Sequence, residues 1–321
     1  MIPMHYKDSV CAVMKSAVCL LFLLTCHPAD AQYRIISYNV ENFFDTQHDT
    51  LKNDYDFLPA GKYRWTYRRF SDKASRIARV ICQAGQWDIP LLVGLCEVEN
   101  KACLDRLLRA MPNHPYRYIH YESPDERGID VALLYDSLRF RMLNSRACAV
   151  SLENDCTRDI LYAAGQLPEG DTLHLMVCHL PSMRGGQQAS EWKRQRAKQT
   201  IQHITDSILS SQPNAQIVVM GDMNSQPRND LQGLNNRMID LTAADPTVEG
   251  THKWQGIWTC LDQFYISPSM DQRASVRIYT ADFLLEDDQK HLGKRPVRTW
   301  QGYRYNTQGY SDHLPVILDF R

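Results

Sequence analysis

The sequence predicts an α/β fold in which two mixed β-sheets pack against each other and helices cover their outer faces. Short apolar runs rich in β-forming residues alternate with only a few helical stretches, a pattern typical of two packed sheets. Neither an internal repeat nor a Pro/Gly/Ser-rich linker divides the 321 residues, of which 44% are hydrophobic and 23% charged. This is ordinary globular composition, so we expect one domain, residues 32–321, behind a short leader.

Hydrophobic periodicity predicts the individual elements. The run at 91–96 is apolar without interruption and predicts a buried strand. Helical spacing begins at residue 72, directly after Ser71, which is a candidate N-cap. The predicted helices lie at 72–84, 101–110 and 187–209, and the other predicted strands lie at 33–38, 131–135, 173–178, 217–220, 264–266 and 316–320.

Residues 1–31 have the features of a secretory signal peptide. Two lysines precede a short apolar run at 17–25, and the small-residue site Ala29-Asp30-Ala31 follows it. The run is far shorter than the roughly 20 residues of a membrane-spanning helix. We therefore expect a cleaved leader, a mature chain that begins at Gln32, and a periplasmic or extracellular location without stable membrane insertion. A lipid anchor at Cys26 is the alternative for this segment.

Cysteine content limits the redox chemistry that the chain can perform. Of ten cysteines, three lie in the leader and seven remain in the mature protein. An odd number leaves at least one thiol without a partner within the chain. Cys148 and Cys156 are close enough in sequence to close a small loop by a disulfide. The chain has no C-x-x-C pair, which argues against structural zinc and thioredoxin-like chemistry.

The charge balance excludes one class of function. The net charge is −1 at neutral pH, with an isoelectric point near 6.8. A protein that clamps duplex DNA through charge alone is usually strongly basic. Chemistry on phosphate would therefore depend on a metal ion or on local positive charge.

Polar residues adjoin the predicted strands at five junctions, where a buried core would not place them. Residues of these types, gathered from several strand ends, are typical of a catalytic or binding site. Taken singly, each has a structural explanation, such as a solvated strand end or a turn, and only the set argues for function. The residues are Asn39, Glu41, Glu97, His179, Asp222, Asn224, Asp312 and His313.

The same junctions carry a family resemblance. The strings SYNVENFFD, GLCEVEN, RGIDVALLYD, CHLPS, GDMNSQP, LDQFYIS and SDHLPV occur in this order, from about Tyr33 to the C-terminus. They resemble the motifs of the endonuclease/exonuclease/phosphatase superfamily, in particular its deoxyribonuclease- and sphingomyelinase-like enzymes of the secreted bacterial type. The resemblance implies a four-layer α/β sandwich and hydrolysis of a phosphate ester with Mg²⁺ or Mn²⁺. One or two carboxylates suffice for Mg²⁺, which keeps several of its waters.

The resemblance also implies roles for the metal site. Glu97 is the principal metal ligand, with Asn39 and Asp312 nearby. Asp222 orients or deprotonates the attacking water, and Asn224 holds a phosphate oxygen.

Further roles concern the two histidines. His179 and His313 donate hydrogen bonds to the phosphate or act as acid and base. Asp262 pairs with His313 and fixes its tautomer, and Asp130 does the same for His179. Glu41 supports the site. One position departs from the family pattern, because Cys178 stands where an asparagine usually precedes the motif histidine.

Basic residues give the only indications of substrate. Lysines and arginines alternate with aromatic residues at 62–73, which suits either a nucleic-acid surface or an irregular loop with packed rings. Arg184 is a candidate phosphate clamp. Trp254 and Trp258, which flank Gly256, indicate a packed hairpin more than a substrate platform.

Three functions remain open at this point. The first is a secreted nuclease or phosphodiesterase that acts as a monomer, with nucleic acid the favoured substrate. The second is a lipid or inositol phosphate phosphoesterase of the same fold. The third is an inactive surface-binding module, which the intact set of site residues disfavours.

Overall fold

Two six-stranded mixed β-sheets carry the fold. In the first sheet the strand order is β13-β18-β1-β2-β4-β3, and in the second it is β5-β6-β7-β8-β12-β9. Each sheet has one parallel pair at its centre, β1 with β2 and β7 with β8, while the other neighbours are antiparallel. The strands of the two sheets are Tyr33–Phe43 (β1), Leu92–Val98 (β2), Tyr116–His120 (β3), Asp130–Asp136 (β4), Arg141–Cys148 (β5), Ile160–Gln166 (β6), Thr172–His179 (β7), Gln216–Asp222 (β8), Ile239–Leu241 (β9), Asp262–Ile266 (β12), Ala274–Ile278 (β13) and Val316–Phe320 (β18).

Three helices and three short hairpins complete the described elements. The helices are Tyr67–Gly85 (α1), Lys101–Arg109 (α2) and Gln187–Ser211 (α3), and the 3-10 turns are Tyr55–Phe57, Pro268–Met270 and Asp282–Leu284. The hairpins pair His252–Trp254 (β10) with Ile257–Thr259 (β11), Leu285–Asp287 (β14) with Lys294–Pro296 (β15), and Trp300–Gln301 (β16) with Arg304–Tyr305 (β17).

The structure is a computed structural model that describes residues 33–86, 88–153, 155–183, 187–226, 237–241 and 245–321. Residues Tyr33–Phe320 form one compact unit. The predicted leader at 1–31 and the predicted phosphate clamp Arg184 lie outside the described residues. Within the described part of the chain, no helix has the length and apolar character needed to cross a bilayer.

The two sheets pack closely at their centres. Gly94 of β2 faces the second sheet, where a Cβ atom in its place would lie 2.8 Å from the Met220 methyl group. The residues between the sheets form one large core together with α1 and α2, and a second core lies between the second sheet and α3. The predicted fold, two packed mixed sheets with helices outside, is therefore confirmed.

One predicted helix boundary is wrong. Helix α1 begins at Tyr67 and not at residue 72, so Ser71 lies inside the helix and caps nothing. The apolar face explains the earlier start, because Phe70 is buried one turn before Ala74 and continues the stripe that holds Ile77. The N-cap position is Thr66, whose side chain makes no capping hydrogen bond.

The disulfide that Cys148 and Cys156 could close is not formed. No disulfide joins any of the seven cysteines in the described part of the chain. Cys96, Cys103 and Cys178 are fully buried and act as small apolar residues of the core.

Candidate active site

The ends of β1 and β2 leave regular strand geometry where the first site residues lie. The β1–β2 register shifts after Asn39, and the β2–β4 register shifts around Glu97. Glu41 and Glu97 have φ values of 55° and 67°. Such values are uncommon outside glycine, and a β-bulge redirects the side chains beside it. Backbone strain of this kind is frequent at functional sites, and here it turns Glu97 toward the second sheet.

Glu97 is held at one oxygen and open at the other. Its Oε2 accepts a hydrogen bond of 2.7 Å from the backbone N–H of Asn42, whereas Oε1 lies 3.4 Å from Asn39 Nδ2. The same Asn39 nitrogen donates to Asp222 Oδ2 at 3.0 Å, while Asn39 Oδ1 accepts from the Glu41 N–H at 3.0 Å. Asn39 therefore meets both carboxylates through its amide nitrogen, which cannot bind a metal, so its geometry here is that of a positioning residue.

The second parallel pair places His179 and Asp222 side by side. The two residues are partners in the β7–β8 register. Gly221 allows this close approach because it has φ 137°, and a Cβ atom there would lie 1.9 Å from the Cys178 carbonyl oxygen. Asp222 Oδ1 accepts from the Asn224 N–H at 2.9 Å, which leaves Oδ2 facing the interior of the site.

Asp222 Oδ2 lies between two imidazoles. It is 3.7 Å from His179 Nε2 and 3.8 Å from His313 Nε2. Both separations exceed a hydrogen bond, so either imidazole can donate to a bound group instead. Glu97 Oε1 lies 3.9 Å from His179 Nε2, and Asn224 Nδ2 donates to the Leu180 carbonyl at 2.9 Å, which fixes Asn224 beside Asp222. Burial raises the pKa of Asp222 to about 7, against the opposing positive charge of His313.

His313 forms the hydrogen bond that the sequence predicts. Its Nδ1 lies 2.7 Å from Asp262 Oδ2, and both side chains are almost fully buried. Burial alone would lower the pKa of His313, but the charge and hydrogen bond of Asp262 raise it well above its usual range. Nδ1 therefore carries a proton toward Asp262, and Nε2 faces Asp222 and Asp312.

The sequence that carries these residues matches a known family along almost the whole described chain. The model of the endonuclease/exonuclease/phosphatase family matches residues 34–321. The chain belongs to this family. It is accordingly a metal-dependent phosphoesterase, a hydrolase, as its ordered motifs imply. A comparison with curated protein sequences found no match.

Solved structures of this family share the fold. The chain is 14% identical to TDP2 from Caenorhabditis elegans, with a TM-score of 0.60 over 90% of this chain and 75% of that one. It is 16% identical to an endonuclease/exonuclease/phosphatase from Bacteroides vulgatus, with a TM-score of 0.59 over 91% of this chain and 99% of that one. It is 18% identical to D. rerio TDP2 complexed with single strand DNA product, with a TM-score of 0.55 over 91% and 100%.

The site of this family member fits a divalent cation. The carboxylates of Glu97, Asp222 and Asp312 each lie within 4.0 Å of one of the two histidines. Among the described residues, Glu97 Oε1 accepts a hydrogen bond only from Asn39, at 3.4 Å, and the Glu97 side chain is partly exposed. An oxygen-rich donor set of this kind suits Mg²⁺ or Mn²⁺. Glu97 is the residue best placed to hold the ion.

Asp312 belongs to a different corner of the site. The ligating atoms of His252, Asp312 and His313 lie within 4.8 Å of one another. However, Arg298 donates to Asp312 Oδ2 at 2.8 Å. Burial would raise the pKa of Asp312, but the charges of His313 and Arg298 outweigh it and lower the pKa to about 2. Because these cations already balance the carboxylate, Asp312 is a weaker ligand than Glu97.

The predicted contact between Asp130 and His179 is wrong. Asp130 accepts hydrogen bonds from the hydroxyl and the backbone N–H of Ser123, and its Oδ2 lies 3.8 Å from His120 Nε2. Among the described residues, His179 Nδ1 has no hydrogen-bond partner. The reason is local, because β4 pairs with β3, and this pairing places Asp130 beside His120 and the segment that follows it.

Arg158 is the residue that positions His179, and the sequence analysis missed it. Its guanidinium donates to the carbonyl oxygens of His179 and Leu180 at 3.0 and 3.2 Å and binds Asp125 at 2.8 Å. Burial, together with the charges of Arg158 and Arg127, lowers the pKa of His179 well below its usual range. An arginine before a strand carries no signal for this role, since only folding brings it under the histidine.

Glu41 supports the site from behind. Its carboxylate accepts from the backbone N–H groups of Thr299 and Trp300 at 2.6 and 3.3 Å. Lys73 is fully buried and donates to the Thr299 hydroxyl and the Tyr310 carbonyl. Burial lowers the pKa of Lys73 to about 8. This network fixes the segment that ends at Asp312.

The basic-aromatic stretch at 62–73 is mostly structural. Trp65 is fully buried and donates from Nε1 to the Phe44 carbonyl at 2.8 Å, and Tyr63 stacks on Phe57. Lys73 is equally buried, so the packed alternative for this stretch is the one that the structure shows. Cys178 also has a packing role, because its side chain lies in the core beneath α3 while its carbonyl accepts from Cys96 Sγ at 3.3 Å.

Proposed function

We propose that the chain hydrolyses phosphodiester bonds by attack of a water molecule on phosphorus, and that nucleic acid is its substrate. The observation that supports this proposal most directly is the position of Asp222 Oδ2, between two imidazole nitrogens at 3.7 and 3.8 Å. A proton acceptor flanked by two donors suits a water molecule and the phosphate that it attacks.

The protein groups divide the work of such a reaction. Asp222 accepts the proton of the attacking water as the new P–O bond forms. His313, which is cationic, and His179, which is neutral, donate hydrogen bonds to phosphate oxygens as negative charge develops there. Asn224, fixed on Leu180, offers its second amide hydrogen to the same phosphate. The leaving oxygen departs as the P–O bond to it breaks, and a proton from His313 or from solvent neutralises it.

Mg²⁺ or Mn²⁺ held at Glu97 would supply neutralisation of the phosphate charge. Asn39 then orients Glu97 relative to Asp222, because one amide nitrogen meets both carboxylates. The bulged backbone of Glu97 and the Asn42 N–H fix the direction of the carboxylate before any ion binds.

Two further parts of the proposal concern substrate and location. D. rerio TDP2, which shares the fold, is described with a single strand DNA product, and this supports nucleic acid over lipid or inositol phosphates. The signal-peptide features of residues 1–31 support export to the periplasm or the extracellular space. Recovery of a mature protein that begins at Gln32 outside the cytoplasm is the expected result, and a retained leader on exported protein contradicts it.

Replacement of the proposed metal ligand tests the mechanism. We expect Glu97→Gln to lower kcat on bis-p-nitrophenyl phosphate by roughly 10²–10³-fold, the loss typical of a deleted electrostatic stabiliser, while thermal unfolding stays two-state. Chelation should abolish turnover of the wild-type protein, and added Mg²⁺ or Mn²⁺ should restore it.

The matched control is Glu153→Gln, which makes the same chemical change on an exposed loop outside the site. Its turnover should equal that of the wild type. Full activity of the wild type in excess chelator would remove the metal from the mechanism.

A further inference from the structure

A cleft of about 230 Å³ opens beside the active site. It lies between the β10–β11 and β14–β15 hairpins. Asp312 and Arg298, which are hydrogen-bonded to each other beside His313, also line the cleft. Its lining includes Trp254, Lys290, His291, Arg295, Arg298 and Asp312. The cleft is therefore placed to contact a part of the substrate next to the reacting phosphate.

The two hairpins hold the cleft in a preformed shape. Lys253 donates from Nζ to the carbonyls of Leu292 and Lys294 at 2.8 and 3.1 Å and pairs with Asp288 at 3.1 Å. The β10–β11 turn has positive φ at both central residues, Gln255 and Gly256, as a type I′ turn requires. A Cβ atom at Gly256 would lie 2.9 Å from His291 Cβ, so the turn rests directly on the second hairpin.

Trp254 is the exposed wall of this cleft. Its fractional exposure is 59%, although it belongs to a hairpin with internal pairing. The guanidinium of Arg298 lies 5.9 Å from its ring centroid, near enough for a weak cation–π contact. The packed hairpin predicted from the sequence is present, but its first tryptophan faces solvent and the cleft.

The charge of the cleft favours an anion. Its lining contains four lysine or arginine residues and two aspartates. Asp312 is bound by Arg298 and Asp288 by Lys253, while Arg295 pairs with Glu286 outside the lining. Lys290 lines the cleft and is exposed, which makes it the cation best placed to meet a ligand. A charged lining of this kind is unsuited to an acyl chain.

We infer that this cleft binds the nucleotide that adjoins the scissile phosphate, with the base against Trp254 and the neighbouring phosphate toward Lys290. Stacking on an aromatic ring accepts any base, and a flanking cation attracts the backbone. The inference rests on the proposed function, because it assigns a substrate part to the same site. It makes Trp254 and Lys290 determinants of specificity that take no part in the chemical step.

Paired chromogenic substrates separate recognition from chemistry. Bis-p-nitrophenyl phosphate and the p-nitrophenyl esters of thymidine 5′-phosphate and 3′-phosphate undergo the same P–O cleavage. Only the two thymidine compounds, the nucleotide esters, carry a nucleoside. We expect Trp254→Ala to lower kcat/KM about tenfold on the better nucleotide ester, mainly through KM, as loss of one stacked base predicts. Activity on bis-p-nitrophenyl phosphate should stay at the wild-type level.

The lysine is tested with a substrate that carries a second phosphate. We expect Lys290→Ala to lower kcat/KM severalfold on thymidine 3′-phosphate 5′-(p-nitrophenyl phosphate) and on its isomer. On the nucleotide esters that lack the second phosphate, Lys290→Ala should keep the wild-type kcat/KM. Ile257→Ala and Trp192→Ala are the controls, since both residues are exposed and neither lines the cleft. Both controls should match the wild type on every substrate.

Three results overturn the inference: an equal loss on all substrates, unchanged kinetics of Trp254→Ala on both esters, or a matching loss in the controls. Failure of the proposed function has a different signature, namely no metal-dependent hydrolysis of any diester by the wild type. In that case, quenching of tryptophan fluorescence by thymidine 3′,5′-bisphosphate, present in the wild type and lost in Trp254→Ala, still supports the cleft, and equal quenching in both overturns it.

Discussion

The active site has two corners, one formed by His313 with Asp262 and the other by His179 with Arg158. The imidazoles of both corners face the same oxygen of Asp222 but differ in charge. His313 lies 2.7 Å from Asp262, and this carboxylate raises the pKa of His313 well above its usual range. No carboxylate of the described residues bonds the second nitrogen of His179, and burial with the nearby Arg158 lowers its pKa well below that range. One imidazole is therefore cationic and the other neutral at neutral pH.

This difference shows how one residue type serves two purposes at a single site. Groups whose surroundings move their pKa values apart are typical acid and base assignments in enzymes. Here the partner beyond each ring sets the difference, since the distances from Asp222 to the two Nε2 atoms differ by only about 0.1 Å. The corner with Asp262 can supply a proton, whereas the corner with Arg158 supplies a neutral hydrogen bond.

Removal of the Asp222 carboxylate, which both imidazoles face, should have the largest effect on activity. We expect Asp222→Asn to lower kcat by roughly 10³–10⁴-fold, the upper part of the range for general acid–base groups, because the amide cannot accept the proton of water. Steady-state rates on bis-p-nitrophenyl phosphate measure the loss. Asp271→Asn, an exposed position outside the site, is the control and should retain wild-type turnover. A loss below tenfold for Asp222→Asn would show that another group accepts the proton.

Conversion of the cationic corner toward the neutral one should have the next largest effect. Asp262→Asn removes the charge that raises the pKa of His313, so we expect kcat to fall about 100-fold. Activity that needs the proton on His313 disappears as the pH rises through its pKa. The alkaline limb of the pH–rate profile should therefore move to lower pH in the variant, and an unmoved limb would exclude His313 as its source.

The same variant has a stability signature in the metal-free protein. Because the folded-state pKa of His313 is raised, the ion pair contributes stability that is fully present below the unfolded pKa of about 6.5. That stability is lost as the pH rises through the folded pKa. Chemical denaturation at several pH values should show this loss in the wild type and a weaker pH dependence in Asp262→Asn.

A change at the neutral corner should have the smallest effect. Arg158→Met removes one of the charges that lower the pKa of His179 and releases two carbonyls from their donor. We expect about a tenfold lower kcat, as for loss of an outer-shell partner, and a higher pKa of His179, measured by NMR titration of its imidazole, because protonation of His179 becomes easier. Arg158→Lys keeps the charge and should leave the pKa of His179 low, whereas a raised pKa in both variants would point to a structural cause.

Most of the candidate site could be predicted from the sequence because its chemistry is local to strand ends. Glu97, His179 and Asp222 each follow an apolar run, and a run that ends on a polar side chain is visible without a structure. The order of these junctions identified the family, which the match over residues 34–321 confirms. The sheet registers then place the junctions together, as parallel neighbours must.

The errors arose where a role depends on distant partners. Asp130 has a motif position, but the partners that folding gives it are Ser123 and His120. The residues at 62–73 alternate in a way that suits nucleic acid, yet Trp65 and Lys73 are fully buried. The alternation of charged and aromatic residues in a sequence does not show which of the aromatic rings are buried in the hydrophobic core.

The sequence by itself determined the fold class, the family and the set of groups able to perform phosphate chemistry, because periodicity and motif order are properties of the chain. Only the tertiary structure decided the charge of each histidine and the exposure of Trp254. Both depend on burial and on partners far along the chain, such as Asp262 for His313 and the second hairpin for Trp254. A pKa or a cleft is set by the distances between such groups, and folding alone fixes those distances.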